Sequence, residues 1–191
     1  MKINSSISND DINPDELAKL IKDAKRYRGE ALNRLCKFVY NKIFGYTYYR
    51  VQQREDAEDL TSEVLLKMVR SLKTQHGNFL AWIYRIANNT IIDFYRRRAT
   101  RSEISIESLK QDIPSVEVSR DILTENKMRK ALAHLTPDQA QVITLRFLQD
   151  YTNQEVAQIM GKTVGAVKVI QYRALKALKE YLAKEDYATK N

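Results

Sequence analysis

Cationic, aromatic and small side chains near the C-terminus recur at the spacing of one helix face. At about 100° per residue they fall on a single side: Gly165, Lys168, Val169, Tyr172, Arg173 and Lys176. Ammonium and guanidinium groups bind phosphates or hydrogen-bond guanine, and small apolar groups contact the thymine methyl. The opposite side is apolar and typical of a core face: Val167, Ile170, Ala174, Leu178 and Tyr181. The pattern predicts contacts to duplex DNA, with a solvated charged face as the alternative.

A short helix and a turn precede this two-faced helix. Thr152 and Glu155 have the spacing of a capping box that starts the short helix. Gly161 can adopt the left-handed conformation that ends it, and Thr163 can cap the helix that follows. This is the spacing of a helix-turn-helix, whose second helix inserts its N-terminal end into the major groove. A plain helical hairpin is the alternative, but it does not require the two-faced pattern.

An acidic segment stands out in the N-terminal half of a basic chain: Asp56, Glu58, Asp59 and Glu63. Acidic side chains are favourable at a helix N-terminus, which accounts for the first turn. Glu63 lies two turns in, beside the apolar residues Val64, Leu65 and Met68, and the helix dipole does not explain it. The segment therefore predicts a docking surface for a protein partner with basic residues.

The next helix combines amide, cationic and aromatic side chains. One face holds Arg85, Asn89, Asp93 and Arg96. The adjacent pair Asn88 and Asn89 disfavours a helix interior, which indicates a use for the amides, and amides can read base edges. A cationic run that can hold phosphates, or that is merely solvated, closes the helix: Arg96, Arg97, Arg98 and Arg101. The aromatic rings either stack on unpaired bases or join the buried stripe: Trp82, Tyr84 and Phe94.

Few prolines and glycines, together with long 3.6-residue periods, predict an all-helical protein. An N-terminal bundle is expected from four helices at about residues 14–25, 29–51, 55–72 and 79–98. Strong starts at Asn13 and Thr136, each followed by proline and then an acid or amide at the third position, define two of the helices. The expected order is a disordered segment 1–12, the bundle 13–100, a flexible linker 101–123, a helix-turn-helix domain 124–183 and a frayed tail 184–191.

The charge pattern favours a polyanionic partner. The chain carries a formal charge of +8 with a pI of about 9.5. Residues 1–101 carry +7, residues 102–125 carry −4 and residues 126–191 carry +5. Two basic blocks around an acidic strip predict two nucleic-acid-binding modules on a linker that stays off the DNA.

Several classes of protein are disfavoured. The single cysteine, Cys36, excludes an internal disulfide and fits a reducing cytosol. No apolar run has the length of a signal-peptide core or a membrane span. His76 and His134 are isolated, so no metal site, cofactor site or hydrolytic centre is predicted.

Two stretches resemble bacterial extracytoplasmic-function sigma factors of the sigma-70 family. The first runs from Asp56-Ala57-Glu58-Asp59-Leu60-Thr61 to Trp82-Ile83-Tyr84-Arg85-Ile86-Ala87, with Asn89 and Asp93 following. The second runs from Leu135-Thr136-Pro137 through Arg146 to the helix-turn-helix with Val164-Gly165-Ala166-Val167-Lys168. The resemblance covers about residues 15–100 and 124–183, and it implies that these are sigma region 2 and sigma region 4.

The resemblance implies a role for each set of residues. The acidic helix of this family docks on the β′ clamp helices of core RNA polymerase, which points to Asp56, Glu58, Asp59 and Glu63. The helix 79–98, with the loop 73–78 before it, recognises the −10 promoter element and captures an unpaired base, and Asn89 matches the position that lines the capture pocket. Contact with −10 DNA is implied for Arg85, Asn88, Asn89, Asp93, Arg96 and Arg97. Recognition of the −35 element as duplex is implied for Thr163, Gly165, Lys168, Val169, Tyr172, Arg173 and Lys176.

The resemblance also implies partners and a setting. The partners are core RNA polymerase, through the β′ clamp helices and the β flap, promoter DNA and an anti-sigma factor. A cytoplasmic protein is implied that is not itself an enzyme and needs no cofactor, because the polymerase holds the catalytic metal ions. Ser62, Leu65 and Val169 depart from the residues common in the family. The alternative function is that of a free-standing dimeric helix-turn-helix regulator that binds duplex operator DNA.

Overall fold

The computed structural model describes residues 12–26, 29–51, 53–102 and 120–188, and all regular elements within these ranges are helical. The N-terminal half contains α1 (Pro14–Lys25), α2 (Gly29–Tyr48), α3 (Arg54–Ser71), a 3-10 turn (Leu72–Thr74) and α4 (Phe79–Ser102). The C-terminal half contains α5 (Arg120–Ala133), α6 (Pro137–Ile143) with a π-helical continuation (Thr144–Leu148), α7 (Asn153–Met160) and α8 (Val164–Ala188). The predicted all-α class is confirmed.

Four predicted helix boundaries were wrong. Helix α2 ends at Tyr48 instead of residue 51, because the Thr47 carbonyl accepts the N–H groups of both Arg50 and Val51 and tightens the last turn. The other three helices are longer than predicted. Helix α4, expected to end at about residue 98, runs to Ser102; α5, expected from about residue 124, starts at Arg120; and α8, expected to fray from residue 184, runs to Ala188. No proline or glycine interrupts these extensions, so the helical period continues through them.

Two predictions fall wholly or mainly outside the described residues. The N-terminal segment 1–12 overlaps the described ranges only at Ile12. The linker 101–123 overlaps them at residues 101–102 and 120–123, which belong to α4 and α5.

The three predicted capping boxes are present and fix where helices begin. At α1 the Glu16 N–H donates to Asn13 Oδ1 (2.9 Å). The same reciprocal arrangement starts α6 at Thr136 and α7 at Thr152. Each box satisfies two backbone donors that the first turn would otherwise leave unpaired. These local signals are strong because they depend on residues only three positions apart.

The N-terminal bundle buries one face of each of its helices. Leu35, Val39 and Ile43 of α2 meet Val64 and Met68 of α3 with almost no exposed surface. Helix α4 adds the predicted stripe, of which Ile83, Ala87 and Ile91 are buried and Phe94 is half-buried. A buried hydroxyl pair, Thr47 and Thr61 (2.8 Å), joins α2 to α3. Burial of these faces, worth about 25 cal/mol per Å² of apolar surface, holds the bundle together.

The C-terminal half packs directly on this bundle. Six of its side chains belong to the same buried cluster as the core of the N-terminal half: Val142, Leu145, Val156, Ala157, Ile159 and Val167. Helix α7 lies against α4, and the π-helical turn lies against α2. A smaller cluster between α5, α6 and α8 completes the C-terminal half: Ala131, Leu132, Leu135, Ala140, Ile143, Ala174 and Leu178. The charge pattern of the sequence indicated no such contact between the halves.

Aromatic and polar side chains complete the contact between the halves. The Tyr84 hydroxyl of α4 lies 3.2 Å from Gln149 Oε1 and 3.3 Å from the Tyr151 hydroxyl oxygen, and the two tyrosine rings meet edge-on at 5.5 Å. Arg129 of α5 is buried, donates to the Val51 carbonyl (3.2 Å) and lies 4.5 Å over the Tyr48 ring. Burial raises the pKa of Tyr84 well above its usual range, so the hydroxyl stays a donor.

Removing the Tyr84 hydroxyl should weaken this contact. Tyr84→Phe keeps the ring but removes the hydroxyl that hydrogen-bonds Gln149 Oε1 and the Tyr151 hydroxyl. We expect the free energy of unfolding to fall by about 1 kcal/mol, measured by urea denaturation of the full chain. Tyr172→Phe, at an exposed ring, is the matched control and should leave stability unchanged. Equal stability of the two variants would show that the Tyr84 hydroxyl contributes nothing to the closed arrangement, in which the C-terminal half packs on the N-terminal bundle.

Candidate nucleic-acid interface

The polar face of α8 is free of the protein core. The seven residues predicted for duplex contact are all exposed: Thr163, Gly165, Lys168, Val169, Tyr172, Arg173 and Lys176. Tyr172 is 70% exposed and Val169 49%, so their apolar surface lies beside the cations and is open to a partner. On the other side of the helix Val167 and Ala174 are fully buried. The two faces therefore lie as the sequence predicted.

The turn before α8 fixes where this helix begins. Gly161 has a φ of 64°, the left-handed conformation predicted for it. The Thr163 hydroxyl accepts the Ala166 N–H (3.1 Å) and caps the first turn of α8. Among the described residues no carboxylate pairs with Lys168, Arg173 or Lys176, so these cations are available to phosphates or bases.

The two adjacent asparagines of α4 lie in different environments. Asn89 and Arg85 are exposed, whereas Asn88 is half-buried. The buried Arg50 donates to Asn88 Oδ1 (3.3 Å) and to the Tyr46 hydroxyl (2.8 Å). The amide oxygen of Asn88 is thus engaged inside the protein, and Asn89 is the asparagine that faces outward. The sequence placed Asn89 on the polar face with Arg85, but it did not show that Asn88 is engaged inside the protein, because Arg50 lies in the turn after α2, far away along the chain.

The acidic residues of α3 and the cationic residues of α4 are neighbours. Arg97 lies 3.5 Å from Glu63, and Arg98 lies 3.4 Å from Asp56. Within α3 itself Glu63 also pairs with Lys67 (2.7 Å). The structure therefore brings together side chains that the sequence assigned to two different partners. This pairing was missed because it depends on the packing of α3 against α4.

Sequence reasoning also missed Leu66. This side chain is 58% exposed, and it lies three and seven residues after Glu63 and Asp59, on the same face of α3. Glu58 is exposed and pairs with Arg54 (2.9 Å). The α3 surface consequently combines carboxylates with one apolar side chain, the composition that suits a protein partner.

Two carboxyl groups on α3 have shifted pKa values with opposite signs. The hydrogen bond from Lys67 lowers the pKa of Glu63, with help from Arg97 and against partial burial. Burial raises the pKa of Asp56, and Arg98 opposes that shift. Glu63 is therefore stabilised as a carboxylate by the cations around it.

The loop before α4 is exposed but ordered by its own hydrogen bonds. His76, Gly77 and Asn78 are exposed, whereas Gln75 is only 5% exposed. The Ala81 N–H donates to Asn78 Oδ1 (2.9 Å), so Asn78 caps α4. Asn78 Nδ2 also donates to Oε1 of Gln158, on α7 (3.4 Å). The loop therefore lies beside both the α4 face and the C-terminal half.

Metal and membrane sites receive no support within the described ranges. No group of three or more histidine, cysteine, aspartate or glutamate side chains there could hold a metal ion. None of the helices described combines the length and hydrophobicity that a bilayer crossing requires. Cys36 is a half-buried free thiol whose pKa is raised by burial.

Comparison with known proteins identifies two matching regions. A family model for sigma-70 region 2 matches residues 37–101, and one for sigma-70 region 4 matches residues 131–180. The chain is 34% identical over 174 residues to the ECF RNA polymerase sigma factor BldN of Streptomyces coelicolor, covering 87% of this chain and 66% of that protein. It is 30% identical over 163 residues to the RNA polymerase sigma factor YlaC of Bacillus subtilis, covering 81% and 94%. The chain thus spans just under two thirds of BldN and nearly all of YlaC.

Two solved structures share the fold. CnrH in complex with the cytosolic domain of CnrY matches with a TM-score of 0.67 at 21% identity, covering 87% of this chain and 96% of that one. The sigma factor RpoE from Bartonella quintana, in complex with the anti-sigma factor NepR, matches with a TM-score of 0.65 at 22% identity, covering 79% and 96%.

The lowered pKa of Glu63 makes its contribution to stability dependent on pH. A carboxyl whose pKa is lower in the folded protein stabilises it above the unfolded pKa, and this stabilisation is lost as pH falls through the folded pKa. Because the pair is partly exposed, Glu63→Gln should cost only about 0.5 kcal/mol at neutral pH. The difference from wild type should shrink between neutral pH and an acidic pH below the lowered pKa of Glu63, where the carboxyl is protonated in both the folded and the unfolded state. Urea denaturation at both pH values measures the difference in the free energy of unfolding, and Glu180→Gln is the control at an exposed carboxylate. A difference that persists in acid would assign the effect to packing.

Proposed function

This chain belongs to the extracytoplasmic-function group of the sigma-70 family of RNA polymerase sigma factors, and we propose on that premise that it makes core polymerase promoter-specific. In this proposal the chain binds core polymerase, recognises a −35 and a −10 element and opens the −10 region. The observation that carries the proposal is the exposed cationic and aromatic face of α8, capped by Thr163 and backed by the buried side chains of Val167 and Ala174. Sigma region 2 is assigned to residues 13–100 and sigma region 4 to residues 124–183.

The start of α8 reads the −35 duplex. Lys168 and Val169 lie near the N-terminal end of the helix, the part of a recognition helix that reaches base edges. Tyr172 and Arg173 follow one turn later on the same exposed face. Lys176 lies a further turn along and is placed to contact backbone phosphate alone. Specificity thus resides in the first turns, and affinity is shared along the whole face.

Helix α3 docks on core polymerase. Asp56, Glu58, Asp59 and Glu63 supply charge complementary to a basic partner, and Leu66 supplies an apolar anchor beside them. An exposed apolar group among charges is a common centre of a protein interface, because the charges orient the partner and the apolar group gains by desolvation. The ion pairs of Glu63 with Lys67 and Arg97 are partly exposed, so exchanging them for pairs with a partner costs little.

Helix α4 and the loop before it act on the −10 element. Asn89 and Arg85 face outward on α4 and are placed to contact an unpaired base and its neighbouring phosphate. Asp93 and Arg96 extend this face and lie 3.6 Å apart. Asn88 is held by Arg50 and supports the position of the helix. Arg97 adds phosphate contact when it exchanges Glu63 for DNA.

Simultaneous recognition of both promoter elements requires the two regions to separate. Helix α8 packs on α7 and α7 on α4, so the axes of α4 and α8 lie within about two helix spacings, roughly 20 Å, of each other where these helices pack. The two elements are about 25 base pairs apart, or roughly 85 Å along straight duplex. Duplex of that length is too stiff to fold back at low cost. We infer that binding to polymerase and promoter breaks the contact around Tyr84.

The family premise also sets the other expectations. The chain is not itself an enzyme, carries no cofactor, acts in the cytoplasm and contacts the β flap of polymerase through region 4. RpoE of Bartonella quintana is bound by the anti-sigma factor NepR, and we propose that an anti-sigma factor also holds this chain.

Two lysines on α8 distinguish recognition of bases from contact with backbone phosphates. Lys168→Ala should change which −35 bases are preferred when core polymerase with this chain selects from a randomised promoter library. Lys176→Ala should weaken binding to all −35 sequences alike and reduce the slope of log affinity against log salt by about one unit. An unchanged preference for Lys168→Ala, or an altered one for Lys176→Ala, would mean that the helix is rotated in the groove.

The same selection tests the proposed function against its alternative. A sigma factor selects two separated elements, and only when core polymerase is present. A free-standing dimeric regulator would instead select a palindromic duplex without polymerase, because a two-fold dimer reads two equivalent half-sites. Selection of such a palindrome by the chain alone would overturn the proposal.

A further inference from the structure

Hydrogen bonds of a buried side chain fix the backbone of the loop 75–78. The Gln75 side chain, itself almost fully buried, donates from Nε2 to the Gly77 carbonyl (3.0 Å). Gly77 has a φ of 75°, a conformation that L-residues rarely adopt. Gln75 also donates its N–H to the Leu72 carbonyl (3.3 Å), and Asn78 caps α4. These bonds fix the backbone while His76 and Gly77 remain exposed.

One support of this loop comes from the first helix. The Lys25 ammonium, at the C-terminal end of α1, donates to the backbone carbonyl of Gln75. Lys25 is half-buried, so this is a charge-assisted bond in a partly desolvated setting, stronger than one between neutral groups. The bond joins residues 50 positions apart in the chain, and it acts on the residue whose side chain closes the Gly77 turn.

The second outside support is lost when the regions separate. Asn78 lies 3.4 Å from Gln158 in the closed arrangement, but Gln158 belongs to α7 and moves away with region 4. Lys25 belongs to region 2 and stays. After opening, therefore, the ammonium of Lys25 still holds the loop when the loop meets DNA.

Docking of α1 does not by itself require Lys25. The buried side chains Leu20 and Ala24 attach α1 to the core of the bundle. Helix α1 also precedes the segment that matches the sigma-70 region 2 model, which begins at residue 37. Lys25 therefore lies outside the matched segment, whereas its acceptor, the Gln75 carbonyl, lies inside it.

We propose that Lys25 is a positioning residue for promoter opening: it holds the Gln75 carbonyl so that the loop is prearranged to receive the unpaired −10 base. The proposal rests on the proposed function of the loop and α4. A loop already in its bound shape loses less conformational freedom on binding, which favours the open complex. The effect of Lys25 should therefore appear at strand opening and not at −35 binding.

The test uses core polymerase with the full chain on a promoter obtained from the selection described above. Lys25→Met keeps the aliphatic stem and removes the donor, Lys25→Arg keeps a cationic donor, and Lys22→Met is the control at an exposed lysine of the same helix. Permanganate reactivity of unpaired thymines measures opening, and a gel-shift assay at low temperature measures closed complexes. We expect Lys25→Met to reduce opening about tenfold, the equivalent of ~1.4 kcal/mol, with closed binding within about twofold. Lys25→Arg should recover most of the loss and Lys22→Met should match wild type.

A second variant connects the effect to the loop. Gln75→Ala loosens the turn by removing the bond to Gly77, so Lys25→Met should cost much less in that background than alone. Additive losses, or equal losses in opening and closed binding, would make Lys25 a general support of α1 and overturn the proposal. So would normal opening by Lys25→Met while Asn89→Ala fails to open. If wild-type holoenzyme opens no selected promoter, the proposed function fails as well, and the two failures are thereby distinguished.

Discussion

The packing of α7 against α4 is the contact on which the arrangement of the whole chain depends. Val156, Ala157 and Ile159 on one side and the buried ring of Tyr84 on the other belong to one core cluster. Apolar burial drives the association. The hydrogen bonds of the Tyr84 hydroxyl with Gln149 and Tyr151 fix the relative orientation of the two halves. The polar side chains of α8 that we propose contact DNA remain exposed in this arrangement. The packing of α7 on α4 therefore leaves the α8 face accessible and limits its distance from the α4 face that we propose contacts the −10 element.

Electrostatics connects the two faces of region 2. The carboxylates of α3 and the guanidinium groups of α4 neutralise one another across a partly exposed boundary. Such pairs contribute little to stability, typically below about 1 kcal/mol, and a basic protein or a polyanion can replace either member. A partner that takes Glu63 leaves Arg97 without its carboxylate. Under the proposed function, polymerase docking on α3 and phosphate binding on α4 would therefore draw on the same ion pairs.

Much of the fold could be predicted from the sequence because its signals are local. Capping boxes, the left-handed Gly161 and the two faces of α8 each depend on residues a few positions apart, and they are found where they were predicted. Helix ends without a proline or glycine were placed less well. The candidate site was predictable as helix faces, but the hydrogen bond that engages Asn88 inside the protein depends on Arg50, and one support of the loop depends on Lys25. These contacts span tens of residues, and neither periodicity nor spacing encodes them.

The central claim is that this sigma factor is closed when free and opens when it engages polymerase and promoter. Energy transfer between two dyes measures the distance between the N-terminal and the C-terminal halves directly. The dyes are attached at two exposed sites, Lys22→Cys on α1 and Lys179→Cys on α8, in a Cys36→Ser background. The account predicts efficient transfer in the free chain and a large loss of transfer in the promoter complex with core polymerase. Efficient transfer that persists in a complex protecting both promoter elements would contradict it, as would weak transfer in the free chain.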